Sequence, residues 1–465
     1  MAMAMKTSQE TLKVYKRRAR YCPELPDEMV FEILVRLPVK ALTRFKSVSK
    51  AWHATTSDPN FIRSHLQQSV KNNQERNTSF LITPITLDDK VINNEAWPTN
   101  VSNHIPFYSW QEGQDDASLV HSTTFHGEFG SFYEMLHCDG LVVLSTDTGV
   151  YVFNPAIHDV LRLPDCQEDV WKFPTVGFGL APRMNKYKVA RFFYRYLDFS
   201  MQTYSVGMEI FTIGGDDIGS CWRSVAEDPP LPIGPRSATH FKGSLYLFVW
   251  DELVEPCTQG VLRFNLEDET FSFISHPKVL SSEVEQLYFV ELGGELCLAQ
   301  GLEGKQVIWM LLSGEWVQHY VIILPEPEPW TFETLSVIAR DVLLLRSGNC
   351  LYHYDNARRD VMEVVHLDRL SYKNRRVGSF SFVGREDVFM FAMVSYTESL
   401  FPVTNPRQHL VMSPDTLGAR MNDEEQPGGR ILTTVVTEAS SEPGQRMSKR
   451  KKREVQRYSS NDWVK

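Results

Sequence analysis

Long apolar runs are missing from this chain of 465 residues. The longest unbroken run, residues 388–394, has seven apolar residues, whereas a helix that crosses a membrane needs about 18 or more. The first 20 residues also lack the apolar segment of a secretory signal. The sequence therefore predicts a protein without a membrane-spanning segment, located in the nucleus and the cytoplasm.

Cysteine is scarce and scattered. The chain has seven cysteines, with no C-x-x-C motif and no cysteine–histidine pairing at the spacing of metal ligands. We interpret these thiols as reduced and mostly as small core side chains. No metal site and no cofactor are expected.

Catalytic motifs are missing as well. The chain has no G-x-S-x-G, no H-E-x-x-H and no phosphate-binding G-x-x-x-x-G-K. The segment S-T-D-T-G (residues 145–149) partly resembles the Asp-box of sialidases, but it occurs once and suits any tight hairpin. His137 and His240 each precede a turn, where a structural histidine is expected. A non-catalytic protein is predicted, with a propeller enzyme acting on a glycan or small molecule as the alternative.

The middle of the chain carries no net positive charge. Residues 1–20 and 441–465 each carry a net charge of +5, whereas the whole chain carries −10, which leaves about −20 between them. An acidic body argues against a nucleic-acid groove on the folded domain.

Residues 22–66 form the most strongly patterned stretch. Pro26 suits the first turn of a helix, and apolar residues then recur at helical spacing until Pro38. Three further short helices are predicted, over residues 39–45, over residues 48–53 and from Asp58-Pro59 onward. The apolar side chains exceed what such short helices bury among themselves, so part of their surface is expected to meet a partner.

The motif L-P-x-E…I-L-x-R-L-P-x-x-x-L-x-R-x-x-x-V-S-K-x-W, followed by D-P-x-F, resembles an F-box. Met29 stands where that family more often has leucine, a residue of similar volume. The resemblance implies binding to a Skp-type adaptor and, through it, to a cullin. It assigns the adaptor contact to Leu25, Pro26, Ile33, Leu34, Leu37, Pro38, Leu42, Val48 and Trp52. The alternative is a helical cap that packs only on its own downstream domain.

From residue 79 onward the pattern changes to alternating strands. Turn-and-strand units recur every 45 to 51 residues, at Gly243, Gly294, Asp341 and Glu386. Four strands per unit at this spacing predict the blades of an all-β propeller. Five complete blades are predicted, and the first pieces (SFLITPI, HIPFYSW) and the last piece (VGSFSFVGREDVFMFAMVSY) are expected to form a composite sixth blade. A separate N-terminal blade would give seven.

Three phrases of this region, VYVFNPAIHDVLRLP, YKVARFFY, and MEIFTIGG with SCWRSV, resemble the propeller-like F-box-associated domain of plant F-box proteins. The two resemblances together imply the substrate-recognition subunit of an SCF-type E3 ubiquitin ligase. The predicted organisation is a disordered basic extension (1–21), an F-box (22–68), a linker (69–78), the propeller (79–397) and a disordered tail (398–465).

Two surface features are predicted to bind other molecules. Trp250, beside Asp251 and Glu252, is the best candidate for contact with a basic protein target. In the tail, an uninterrupted basic run predicts a nuclear import signal. The run consists of Lys449, Arg450, Lys451, Lys452 and Arg453.

Overall fold

A computed structural model describes most of the chain. The described residues are 25–75, 78–87, 101–127, 129, 135–170, 175–214, 221–250, 253–254, 260–277, 286–302, 304–323, 333–339 and 342–404. None of the helices in these ranges has the length and apolar character needed to cross a bilayer. The predicted N-terminal extension and the basic run at 449–453 lie outside the described residues.

A helical unit (residues 25–75) comes first. It contains α1 (Asp27–Leu34), α2 (Val39–Phe45), α3 (Lys50–Ser57) and α4 (Pro59–Glu75). Helix α3 begins later than predicted because the Ser49 hydroxyl accepts a hydrogen bond from the Trp52 amide, at 3.1 Å, and so caps the helix. As predicted, Asp58 caps α4, accepting from the Asn60 amide at 2.8 Å. Helix α4 extends to Glu75 and therefore includes residues 69–75 of the segment that the sequence predicted as a linker (69–78).

All the strands follow the helices. The first three are β1 (Ser79–Thr86), β2 (His104–Gln111) and β3 (Asp116–Thr124). Blade 1 has β4 (Leu136–Cys138), β5 (Leu141–Thr146), β6 (Gly149–Asn154) and β7 (Asp159–Arg162); blade 2 has β8 (Thr175–Ala181), β9 (Lys186–Asp198), β10 (Thr203–Ile213) and β11 (Arg223–Ser224). Blade 3 has β12 (Thr239–Phe241), β13 (Ser244–Phe248), β14 (Gly260–Asn265) and β15 (Phe271–Ser275).

The remaining strands complete the ring. Blade 4 has β16 (Gln286–Leu292), β17 (Glu295–Leu302), β18 (Lys305–Leu312) and β19 (Glu315–Ile323); blade 5 has β20 (Glu333–Ala339), β21 (Val342–Ser347), β22 (Cys350–Asp355) and β23 (Asp360–His366). The last strands are β24 (Ser371–Asn374), β25 (Gly378–Phe380) and β26 (Val388–Ser395).

A composite sheet closes the propeller, in the strand order β26-β1-β2-β3-β24-β25. Strand β26 pairs antiparallel with β1, with Ser395 opposite Phe80. Adjacent blades share apolar cores around the whole circle. The prediction of six blades with a composite sixth is therefore confirmed, and the seven-blade alternative is excluded.

The composition of the composite sheet differs from the prediction. The N-terminal part supplies three strands rather than two, because the polar segment of β3 also joins the sheet. Only β26 of the C-terminal part pairs with β1. The β24–β25 hairpin instead extends the opposite edge, with β24 parallel to β3 and Tyr372 opposite Ala117.

The chain continues beyond β26 as a strap (residues 396–404) that lies between the helical unit and blade 1. Ser399, Leu400 and Val403 are at most 2% exposed. The sequence predicted a disordered tail from residue 398 onward. This prediction is wrong for residues 398–404, which belong to the packed strap. At its start the Tyr396 amide still donates to the Ser79 carbonyl of β1. Farther along, side chains of α4 and of blade 1 bind carbonyl groups of the strap, which does not continue as a strand.

Two ion pairs with buried basic side chains lie within blade 2 and at its boundary with blade 3. Arg191 and Glu209 stand opposite each other on β9 and β10, with Nη1 and Oε1 2.9 Å apart and side chains 3% and 2% exposed. Lys188 extends from β9 to the Glu269 carboxylate of blade 3, at 2.9 Å. These pairs join charged groups that would be costly to bury alone.

Candidate functional site

The helical unit has two apolar faces. The inner apolar face packs on the strap and blade 1 and consists of Leu34, Val35, Val39, Leu42, Phe61 and Ile62. The outer apolar face consists of Leu25, Met29, Ile33 and Val48, each between 49% and 63% exposed. Single exposed apolar side chains are ordinary on proteins, but four on one small helical unit indicate a surface that binds a partner.

A shallow groove runs along α1 on the outer side. Met29, Ile33 and Leu37 form its floor. Its charged rim consists of Glu28, Glu32 and Arg36. One rim pair, Glu32 and Arg36, forms an exposed ion pair one helical turn apart. An apolar floor with a charged rim is the arrangement of an interface centre.

The strap holds the helical unit in place through hydrogen bonds to α2 and α4. The Val39 amide, the first of α2, donates to the Glu398 carboxylate at 3.0 Å. Burial raises the pKa of this carboxyl group, and the Val39 amide acts in the opposite direction. From α4, the Asn73 amide group donates to the Tyr396 carbonyl at 3.1 Å and to the Thr397 hydroxyl at 2.9 Å. The orientation of the outer apolar face is thus fixed relative to the propeller.

Blade 1 holds the other side of the strap. The buried Asn154 side chain donates to the carbonyls of Ser399 and Phe401, at 3.0 and 2.9 Å. The Asp159 carboxylate accepts from the backbone amides of Val403 and Thr404, at 2.8 and 3.1 Å. A side chain at Gly140 would meet Ser399 atoms at 2.4 to 2.8 Å, and the φ angle of +84° there also requires glycine.

The structure separates the nine predicted adaptor contacts into two groups. Seven are accessible: five are exposed, and Leu37 and Trp52 are half-buried. The five exposed residues are Leu25, Pro26, Ile33, Pro38 and Val48. Leu34 and Leu42 are 2% and 0% exposed on the inner face, so we correct their assignment to that of core residues.

The predicted target contact at Trp250 is also corrected. Its side chain is 4% exposed and lies in the core between blades 2 and 3, edge-on to Tyr194 and Phe199 at 5.9 and 5.1 Å. Asp251 and Glu252 lie outside the described residues, so an acidic target-binding surface stays a prediction. Exposed aromatic surface is found instead at the nearby β9–β10 hairpin, where Tyr196 is 51% exposed.

The features considered for catalysis have structural roles. The T-D-T-G segment forms the tight turn between β5 and β6. His137 Nε2 accepts from the Gly140 amide at 2.9 Å, and His240 Nε2 accepts from the Gly243 amide at 3.3 Å. Burial lowers the pKa of both imidazoles to about 4, so both are neutral acceptors near pH 7.

We expect His137 to make the fold sensitive to mild acid. Burial holds its pKa near 4 in the folded protein, whereas an unfolded histidine titrates near 6.5. The unfolded chain therefore takes up this proton first, and the free energy of unfolding falls as the pH is lowered from about 6.5 towards 4. Urea unfolding at pH 7 and at pH 5 measures the effect. Between these pH values the free energy of unfolding of His137→Gln should fall by about 2 kcal/mol less than that of the wild type. The exposed His53→Gln is the control, and an equal loss in wild type and His137→Gln would contradict this role.

One cysteine–histidine pair in the structure was not predicted from the sequence, which has no such pairing at the spacing of metal ligands. Cys350 and His366 are 16 residues apart and become direct neighbours across β22 and β23, with Sγ and Nε2 2.6 Å apart. No local spacing motif signals such a pair. Only the register of a predicted hairpin could have shown it.

Comparison with known proteins agrees with this architecture. Residues 98–386 match the family model of the F-box associated beta propeller domain, and residues 22–64 match that of the F-box domain. The F-box protein At5g10340 of Arabidopsis thaliana is 26% identical over 379 residues, which cover 75% of this chain and 80% of that protein. The F-box/LRR-repeat/kelch-repeat protein At1g09650 of the same plant is 28% identical over 380 residues, covering 76% and 92%.

Likeness to solved structures is distant. A putative 6-phosphogluconolactonase from Bacteroides uniformis has a TM-score of 0.36 and 12% identity, covering 68% of this chain and all of that one. A periplasmic gluconolactonase from Pseudomonas aeruginosa has the same TM-score and 11% identity, covering 69% and 100%. Neither bears on function. The propeller family model alone matches more than half of the residues, and the chain belongs to the F-box proteins that carry an F-box-associated β-propeller domain.

Proposed function

We propose that this chain is the substrate-recognition subunit of an SCF-type E3 ubiquitin ligase. The outer apolar face of the helical unit binds a Skp-type adaptor, and the adaptor links it to a cullin. The propeller binds a protein target. The chain itself performs no covalent chemistry, because its contribution is to hold the target close to the enzymes that transfer ubiquitin.

The division of the helical unit into two apolar faces is the observation that supports this proposal. A cap that served only its own domain would have one buried face, whereas Met29 and Ile33 remain half-exposed beside the buried Leu34. The strap fixes the inner face through Glu398 and Asn73. A rigidly held outer face suits a ligase subunit, since it sets the position of the target relative to the adaptor.

The proposal is tested by the affinity of the full chain for a purified Skp-type adaptor. Ile33→Asp puts a charge into the centre of the outer apolar face, and we expect it to weaken binding by at least about 100-fold. Ile33 is 49% exposed, so the melting temperature should change little. Val377→Asp, in the turn between β24 and β25 and 73% exposed, is the matched control. Equal adaptor affinity of Ile33→Asp and wild type would refute the assignment.

We further propose that the basic run 449–453 directs the protein to the nucleus. Five consecutive positive side chains suit recognition by an import receptor and are poorly suited to packing in a core. Deletion of residues 441–465 should shift a fluorescent fusion towards the cytoplasm and leave adaptor binding unchanged. An unaltered nuclear signal would argue against this role.

A further inference from the structure

Three side chains of blade 5 with metal-binding atoms converge at one edge of the β22–β23 hairpin. Cys350 Sγ, His366 Nε2 and a carboxylate oxygen of Glu363 all lie within 4.8 Å of one another. Cys350 is 6% exposed, the His366 side chain is 29% exposed and Glu363 is exposed. The cluster is therefore anchored in the sheet and open to solvent on one side.

A register shift in the sheet creates this convergence. Cys350 pairs with His366 and Tyr352 pairs with Glu363, although Leu351 pairs with Val365. The extra residue in β23 is a β-bulge. Without it, residues three apart on one strand would point to opposite faces of the sheet. The bulge brings Glu363 and His366 to the same face, beside Cys350.

Asp368 orients the imidazole. His366 Nδ1 lies 3.1 Å from the Asp368 carboxylate, which is only an acceptor when ionised. Nδ1 therefore carries the proton, and the lone pair of Nε2 points towards Cys350 Sγ. A carboxylate behind the distal nitrogen is the usual partner of a metal-binding histidine, where it fixes the ring and raises its basicity.

The backbone around these residues is firmly placed. The Leu367 amide donates to the Asn349 carbonyl at 2.8 Å, and the Phe382 amide donates to the Asp368 carbonyl at 2.9 Å. Leu367 is thus tied to the turn before β22, and Asp368 is tied to the segment that follows β25. A ligand set on such a frame requires little reorganisation to bind an ion.

We propose that Cys350, Glu363 and His366 bind one zinc ion, with the fourth coordination position open to solvent. Thiolate, imidazole and carboxylate are the three side-chain ligand types that zinc uses. A zinc ion would displace the proton of the Cys350 thiol to the buffer, so that zinc affinity increases with pH. The deprotonated sulfur then forms the bond to the metal.

The cluster needs only a small adjustment to fit the ion. Zinc bonds of about 2.0 to 2.3 Å place tetrahedral ligand atoms about 3.4 to 3.6 Å apart. The Sγ–Nε2 distance of 2.6 Å would thus widen by about 1 Å, which a rotation of the partly exposed His366 ring supplies. The Glu363 carboxylate approaches from the solvent side.

The test uses the full chain without a histidine tag, stripped of metal with a chelator. Zinc affinity and stoichiometry are measured by competition with a chromophoric chelator, and cobalt(II) reports sulfur ligation through its thiolate charge-transfer absorption. We expect one zinc ion per chain and a clear charge-transfer band. Cys350→Ser should abolish the band and weaken zinc binding by more than about 100-fold. Cys221→Ser, the same change at an exposed cysteine, should leave both unchanged.

Two further variants separate ligation from loss of fold. Glu363→Gln is a change at an exposed side chain and should weaken zinc binding without changing the metal-free melting temperature. Asp368→Asn should weaken it by about 10- to 100-fold, because Asp368 only positions His366. Absence of stoichiometric binding, or wild-type affinity in both Cys350→Ser and Glu363→Gln, would overturn the proposal.

Discussion

Replacing Glu209 by glutamine is expected to lower the free energy of unfolding of the propeller by about 3 to 5 kcal/mol. The change removes the partner of Arg191 and leaves an arginine charge 3% exposed inside blade 2. The side-chain amide of glutamine can still accept a hydrogen bond from Arg191, but it is neutral and does not compensate the arginine charge. Urea unfolding at pH 7, followed by tryptophan fluorescence, measures the loss.

Two comparisons make this expectation specific. The double variant Arg191→Met with Glu209→Leu removes both charges and should recover most of the loss, because well-packed apolar residues replace a buried pair at little cost. Arg195 lies on β9 as Arg191 does, and it pairs with Asp228; the two side chains are 40% and 50% exposed. Arg195→Met breaks this exposed pair and should cost less than about 1 kcal/mol. A Glu209→Gln variant as stable as Arg195→Met would contradict the role of the buried pair.

Replacing Asn154 by aspartate is expected to cost about 3 kcal/mol or more and to release the strap. Asparagine and aspartate have nearly the same shape, but aspartate has no N–H group to donate to the carbonyls of Ser399 and Phe401. Those buried carbonyls lose their partner and face a negative charge instead. Hydrogen exchange followed by mass spectrometry should show faster exchange at residues 396–404 and in the helical unit.

The control for Asn154 is Asn374, which closes a surface turn by accepting from the Arg376 amide at 2.9 Å. Asn154 makes a similar turn bond to Ala156, so Asn374→Asp reproduces that part of the change. We expect the control to alter stability by less than about 0.5 kcal/mol. Unchanged protection of the strap in Asn154→Asp would show that Asn154 does not hold it.

The blades were predictable from sequence because each repeats a local pattern. A turn followed by short apolar strands is a pattern contained within a single blade, and five blades were predicted from it. Strand β3 was missed because its buried Ala117 and His121 are separated by polar and partly exposed residues. The β24–β25 hairpin was misplaced because its parallel pairing with β3 joins residues 371 and 116, which no local pattern connects.

The site was only partly predictable, since helical spacing does not tell which apolar residues face inward. Ile33 and Leu34 are consecutive and equally apolar, yet one is 49% and the other 2% exposed. The strap decides the difference, because Leu400 packs against the side of α1 that carries Leu34. Trp250 was misassigned for a related reason: its acidic neighbours in sequence suggested a surface, whereas its ring fills the gap between two blades.

The pairing of β26 with β1 also determines when the propeller can close during translation. Strand β1 ends at residue 86 and its partner β26 begins at residue 388, so at 5 to 20 residues per second the first strands wait roughly 15 to 60 s for their partner. The strap is synthesised later still. A nascent or prematurely terminated chain thus presents its helical unit without the support that orients it. Only a chain translated past residue 404 can have both a closed propeller and a correctly seated helical unit.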